Sequence, residues 1–87
     1  MTRVFIPSQL QSYCRGATQV EATGETVDAL LRDLDRLYPG IRFRLIDEQD
    51  RIRRHMRIFI GREAVHNLGS PLGAGDEVLI FGALSGG

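Results

Sequence analysis

Residues 2–7 alternate, with Val4 and Ile6 on one face and Arg3 and Phe5 on the other, the two-residue period of a half-buried strand that Pro7 ends. Residues 8–17 are polar, contain Gly16 and are expected to form a connection. Alternation resumes over residues 18–23, where Val20 and Ala22 face away from Gln19 and Glu21, so the first two strands are expected to pair antiparallel. A helix then opens at Thr26, whose hydroxyl can cap free amides. Asp28 falls in its first turn, where the helix dipole favours negative charge, and Pro39-Gly40 stops it. Val27, Leu30, Leu31, Leu34, Leu37 and Tyr38 form one apolar stripe, with Arg32, Asp33, Asp35 and Arg36 on the wet side.

Beyond the helix, Ile41 and Leu45 fit one short helical turn, and the charged run 47–54 reads as an exposed connection. Met56, Ile58 and Ile60 alternate with Arg57 and Phe59, a short strand is predicted at Ala64-Val65, and residues 69–75 form a Gly- and Pro-rich loop. The last strand covers residues 77–82, with Val78 and Ile80 on one face and Leu79 and Phe81 on the other. Strand, strand, helix, strand, short strand, strand in 87 residues predicts an α+β fold of β-grasp, ubiquitin-like layout: a mixed four- to five-stranded sheet with one main helix across it. The first and last strands are expected to pair in the middle. A ferredoxin-like alternative needs a second full helix, and residues 61–76 carry no helical stripe. The expected organisation is a β-grasp domain over residues 1–83 and a flexible tail over 84–87.

Composition narrows the function. Eleven arginines balance eleven Asp and Glu, so there is no bulk charge to draw the chain to nucleic acid or an anionic membrane. No apolar run approaches the roughly 18 residues of a membrane span, and no signal-peptide core precedes Pro7, so the expected location is the cytoplasm. Cys14 can form no internal disulfide, and with only His55 and His66 for company it makes a poor metal site. Although Cys14 lies beside Arg15, the simpler expectation is a plain reduced side chain. The basic run from Arg51 to Arg57 could hold an anion, but Asp47, Glu48 and Asp50 stand directly before it and nearly cancel its charge.

No catalytic template is met: Ser70 and Ser85 lack a histidine pattern, and residues 69–73 lack the lysine of a phosphate loop. The informative feature is the end, Ala83-Leu84-Ser85-Gly86-Gly87, which follows the last strand without a linker. Two residues without Cβ make a backbone thin enough to thread a narrow active site, with the Gly87 carboxylate as the reactive group. That carboxylate is a poor electrophile until it is activated, for instance by adenylation. The chain is therefore expected to be a protein cosubstrate whose partners supply the catalytic groups.

The stretch 72–80, a Gly-Asp turn leading into the last strand, and the tail after it resemble the ubiquitin-like sulfur carriers of the MoaD, ThiS and CysO type. Tyr38-Pro39-Gly40-Ile41, Arg44-Leu45, Asp47, His55 and the strand 57–60 are most similar to the cysteine-pathway carriers and to stand-alone relatives of the molybdopterin synthase small subunit. Gly82 stands where many relatives have proline, which suggests a looser tail root. The resemblance implies that Gly87, presented by Gly86, is adenylated by a ubiquitin-activating-enzyme-like adenylyltransferase using ATP and magnesium, then converted to a thiocarboxylate that donates sulfur. The carrier itself binds no cofactor. The acceptor would be a cysteine synthase-like enzyme, with a metallopeptidase releasing the product, or the large subunit of molybdopterin synthase. Phe59, Leu79, Phe81, Leu84 and Arg57 are the expected partner-binding residues. A protein modifier conjugated through Gly87 and a non-covalent interaction domain are the alternatives.

Overall fold

The computed structural model describes residues 1–83. Its five strands are β1 (Thr2–Phe5), β2 (Gln19–Ala22), β3 (Met56–Ile60), β4 (Glu63–Ala64) and β5 (Glu77–Gly82), arranged in one sheet in the order β2-β1-β5-β3-β4. Helices α1 (Val27–Leu37) and α2 (Ile41–Leu45) join them. β1 pairs antiparallel with β2 and parallel with β5, so the first and last strands meet in the centre as the pattern predicts. β5 pairs antiparallel with β3, whose other edge carries β4. This is the expected β-grasp layout, with no second full-length helix among the described residues.

Alternation decides the core. Val4, Val78, Ile80 and Ile58 are buried on the sheet face that meets Val27, Leu30, Leu31 and Leu34 of α1. Thr26 caps the helix, its hydroxyl accepting the Ala29 N–H at 3.1 Å. The next orphan amides are satisfied by the 65–72 segment, where Val27 N–H donates to the Ser70 carbonyl and Asp28 N–H to that of Leu68. The apolar stripe is shorter than its spacing suggests: Leu37 is 40% exposed, because the helix ends there and the chain turns through Tyr38-Pro39-Gly40.

Three segments differ from expectation. Residues 8–17 are not a plain connection, since Ser8–Cys14 forms a 3-10 helix that buries Leu10 and Cys14. Leu10, Tyr13, Cys14 and Ala17 recur at i, i+3, i+4 and i+7 and pack on the core, a helical spacing that the polar residues between them and Gly16 disguise. The run 47–54 is an ordered turn: Ile46 bridges Ile52, Asp47 N–H donates to the Arg51 carbonyl, and Asp47 Oδ1 accepts the N–H groups of Gln49 and Arg51. β4 lies one residue earlier than Ala64-Val65, with Val65 itself buried and its N–H donated to the Ile58 carbonyl.

Candidate functional site

The sheet has one covered face and one open face, and the described residues expected to bind partners, Arg57, Phe59, Leu79 and Phe81, fall on the open one. Pairing sets them in rows. Phe59 lies opposite Leu79, and Leu79 is in turn opposite Phe5 on the far side, which gives a half-buried apolar row across β3, β5 and β1. The next row, nearer the chain end, is Arg57 opposite Phe81. Phe81 is 50% exposed, and its ring meets that of Phe59 edge to face, with centroids 5.6 Å apart at 81°. At the other end of this face Arg3 and Glu77 form an exposed ion pair at 3.1 Å. Phe5 belongs to this surface although the sequence did not single it out. The signal was present, because its alternation places it opposite Val4, but its neighbour Leu79 emerges only from the parallel pairing of β1 with β5.

Arg57 is held rather than loose: its Nη1 donates to the carbonyls of Arg54 and Met56, both at 2.9 Å. Gly82 pairs with Met56 in the last rung of the ladder, and Ala83 N–H donates to the His55 carbonyl at 2.8 Å. A Cβ on Gly82 would fall 2.5 Å from Gln9 Nε2, so the 3-10 helix packs on this glycine. The root of the tail is thus anchored, and the looser root suggested by the missing proline is not what the structure has. Leu84, Gly86 and Gly87 lie outside the described residues.

The remaining candidate chemistry is quiet. Cys14 is 2% exposed, and burial pushes its thiol above the ordinary value, the opposite of an activated nucleophile. Among the described residues no cluster of His, Cys, Asp and Glu could hold a metal ion, and no helix is long and apolar enough to cross a membrane. Asp28 is held below the usual carboxylate range by its hydrogen bond to Arg32, with Arg42 adding to the effect. It belongs to an ion-pair network at the start of α1.

What this architecture is used for is indicated by similar proteins. Residues 4–87 match the ThiS family model. The chain is 34% identical to the sulfur carrier protein CysO of Mycobacterium bovis, over 97% of this chain and 96% of that one. The crystal structure of Mycobacterium tuberculosis CysO superposes with a TM-score of 0.91 at 31% identity, covering 97% of this chain and all of the other. CysO in the BexX/CysO complex of Amycolatopsis orientalis matches at 0.92 and 30% identity, with both chains fully covered. SAMP1 from Haloferax volcanii matches at 0.78 and 26% identity, over 99% of this chain and 98% of that one. An anchored carboxy-terminal strand, an open apolar face beside it and these full-length matches converge: the chain belongs to the ThiS family and is a ubiquitin-like sulfur carrier, a protein substrate rather than an enzyme.

Proposed function

We infer that the terminal carboxylate of Gly87 is the sulfur-bearing group and that its sulfur is destined for cysteine. A carboxylate oxygen would attack the α-phosphorus of ATP on a ubiquitin-activating-enzyme-like adenylyltransferase, releasing pyrophosphate with magnesium balancing the phosphate charge. A sulfide-level donor would then attack the acyl carbon, AMP would leave with one former carboxylate oxygen, and a thiocarboxylate would remain. On a cysteine synthase-like acceptor the thiocarboxylate sulfur would displace the leaving group of an activated serine. An acyl shift to the amine would follow, and a metallopeptidase would hydrolyse the new peptide bond to release cysteine. Their need for ATP favours the cytoplasm as the location of these steps.

The observation that carries this reading is the full-length similarity to CysO, together with a tail rooted directly on the central strand. The large subunit of molybdopterin synthase is the alternative acceptor. Mass spectrometry of the intact chain and its carboxy-terminal fragment, before and after incubation with adenylyltransferase, ATP and a sulfur donor, tests the chemistry. Exchange of one oxygen for sulfur is expected at Gly87. An unmodified Gly87 with an enzyme competent on its own carrier overturns it. The likeness to SAMP1, a small archaeal modifier protein, favours conjugation through Gly87 as a second use. Higher-mass conjugates in cell extract that vanish on removal of Gly86-Gly87 would support that use.

A further inference from the structure

The basic run whose charge is nearly cancelled by its sequence neighbours is opened into a surface by the fold. A trough of about 940 Å³ runs between the start of α1, the turn before β3 and the segment after β4. Five arginines line it against two carboxylates, Asp28 and Asp50, an excess of three positive charges in a chain of zero formal net charge. Both carboxylates are engaged within the molecule, Asp28 by Arg32 and Arg42 at 2.9 Å each and Asp50 by Arg42 at 3.5 Å. Asp47 is turned into its own loop by the Gln49 and Arg51 amides, and Glu48 does not line the trough. Arg51 and Arg54 are exposed, and their side chains make no hydrogen bond or ion pair among the described residues.

This trough is continued toward Ala83, the last described residue. A second hollow of about 600 Å³ shares Arg53 and Met56 with it, continues past Arg44 and His55, and ends at Ala83 with no carboxylate in its wall. Arg53 is fixed at the junction, its guanidinium 4.6 Å from the centre of the Phe43 ring and its Nε donating to the Phe43 carbonyl at 2.7 Å. The strand edge here is closed to pairing, because Met56 N–H donates to the Arg53 carbonyl and the Met56 carbonyl accepts from Arg57. A ligand must therefore be recognised by side chains rather than by adding a strand. A long open trough also suits an extended chain better than a small molecule, which needs enclosure.

We propose that this arginine belt docks an acidic segment of the adenylyltransferase that takes the tail, an Asp- and Glu-bearing chain lying in the trough while the tail enters the active site. The partner's identity rests on the carrier reading, whereas the acidic ligand rests on the belt alone. Fixed positive charge beside the entering tail steers a complementary surface into register and speeds encounter.

The test is a titration of the 15N-labelled full-length protein with hexaglutamate at low salt. Amide shifts are expected at residues 50–57 and 64–69, lost in the R51E/R54E double variant and suppressed at about 0.5 M salt, where screening is nearly complete within a few Å. Absence of shifts overturns the proposal, as does full reproduction by inorganic phosphate, which would mark a small-anion site. Tighter binding by a single-stranded oligonucleotide of equal charge overturns it too. The contacts of Arg51 and Arg54 among the described residues are made by backbone, which the substitutions keep, so the double variant is expected to melt close to the wild type. It is expected to associate with the adenylyltransferase roughly tenfold more slowly at low salt with little change in dissociation; an unchanged association rate overturns the choice of partner. The titration needs no chemistry at Gly87, so its failure leaves the thiocarboxylate reading standing, and an inert Gly87 leaves the titration interpretable.

Discussion

Gly24 stands where the chain passes from β2 into α1, and a Cβ built there would lie 2.3 Å from the backbone nitrogen of Leu30 and 2.8 Å from the carbonyl carbon of Ala29. Backbone cannot yield as a side-chain tip can, so Gly24→Ala is expected to cost about 2–3 kcal/mol, near the upper end of overpacking, as a lowered denaturant midpoint would show. Gly82→Ala meets only the flexible end of Gln9 and is expected to fold with little loss. Cys14 makes the reverse point about reactivity. Its thiol is buried and its ionisation opposed by burial, so alkylation by iodoacetamide at neutral pH is expected only once denaturant opens the fold. Adjacency to Arg15 in the sequence says nothing of this, because Leu10 and Cys14 turn inward together along the 3-10 helix.

At the scale of elements, local carboxylates hold the connections. Asp47 accepts two backbone amides of its own turn, chiefly that of Arg51, and Asp33 accepts the Thr23 amide and the Arg36 guanidinium, so α1 is tied to the end of β2. Both carboxyls are held below the ordinary range, each led by its backbone hydrogen bond. Between the folded values and the unfolded value of about 3.9 the unfolded chain binds more protons, so their stabilisation is full above roughly pH 5 and is lost as pH falls through the folded values. A melting temperature that drops from pH 5 to pH 3 is expected, with a shallower drop in Asp47→Asn and in Asp33→Asn. The elements were legible wherever period and punctuation agreed: α1 between Thr26 and Pro39, and β1, β3 and β5 by alternation. The turn at 47–54 was not, because its order comes from side chain to backbone bonds that a run of charges does not announce.

Across the whole molecule, the open face gathers residues far apart in the chain, and its membership follows from pairing rather than from any one strand. Arg57, Phe59, Leu79 and Phe81 could be named from alternation, whereas Phe5 joined them only through the parallel register. Phe81→Arg places a charge at the tail-side end of that face without touching the core. It is expected to weaken adenylyltransferase binding by about 2 kcal/mol, roughly thirtyfold in Kd, by calorimetry, with the melting temperature nearly unchanged. The same parallel pairing has a mechanical consequence. Since β1 and β5 run side by side in the same direction, Thr2 and Ala83 leave the central pair at opposite ends. A pull on the tail against a hold on the amino terminus loads those backbone hydrogen bonds together, in shear, instead of opening them singly like a zip. An enzyme that draws the tail inward therefore tows an intact body behind it rather than a lengthening thread.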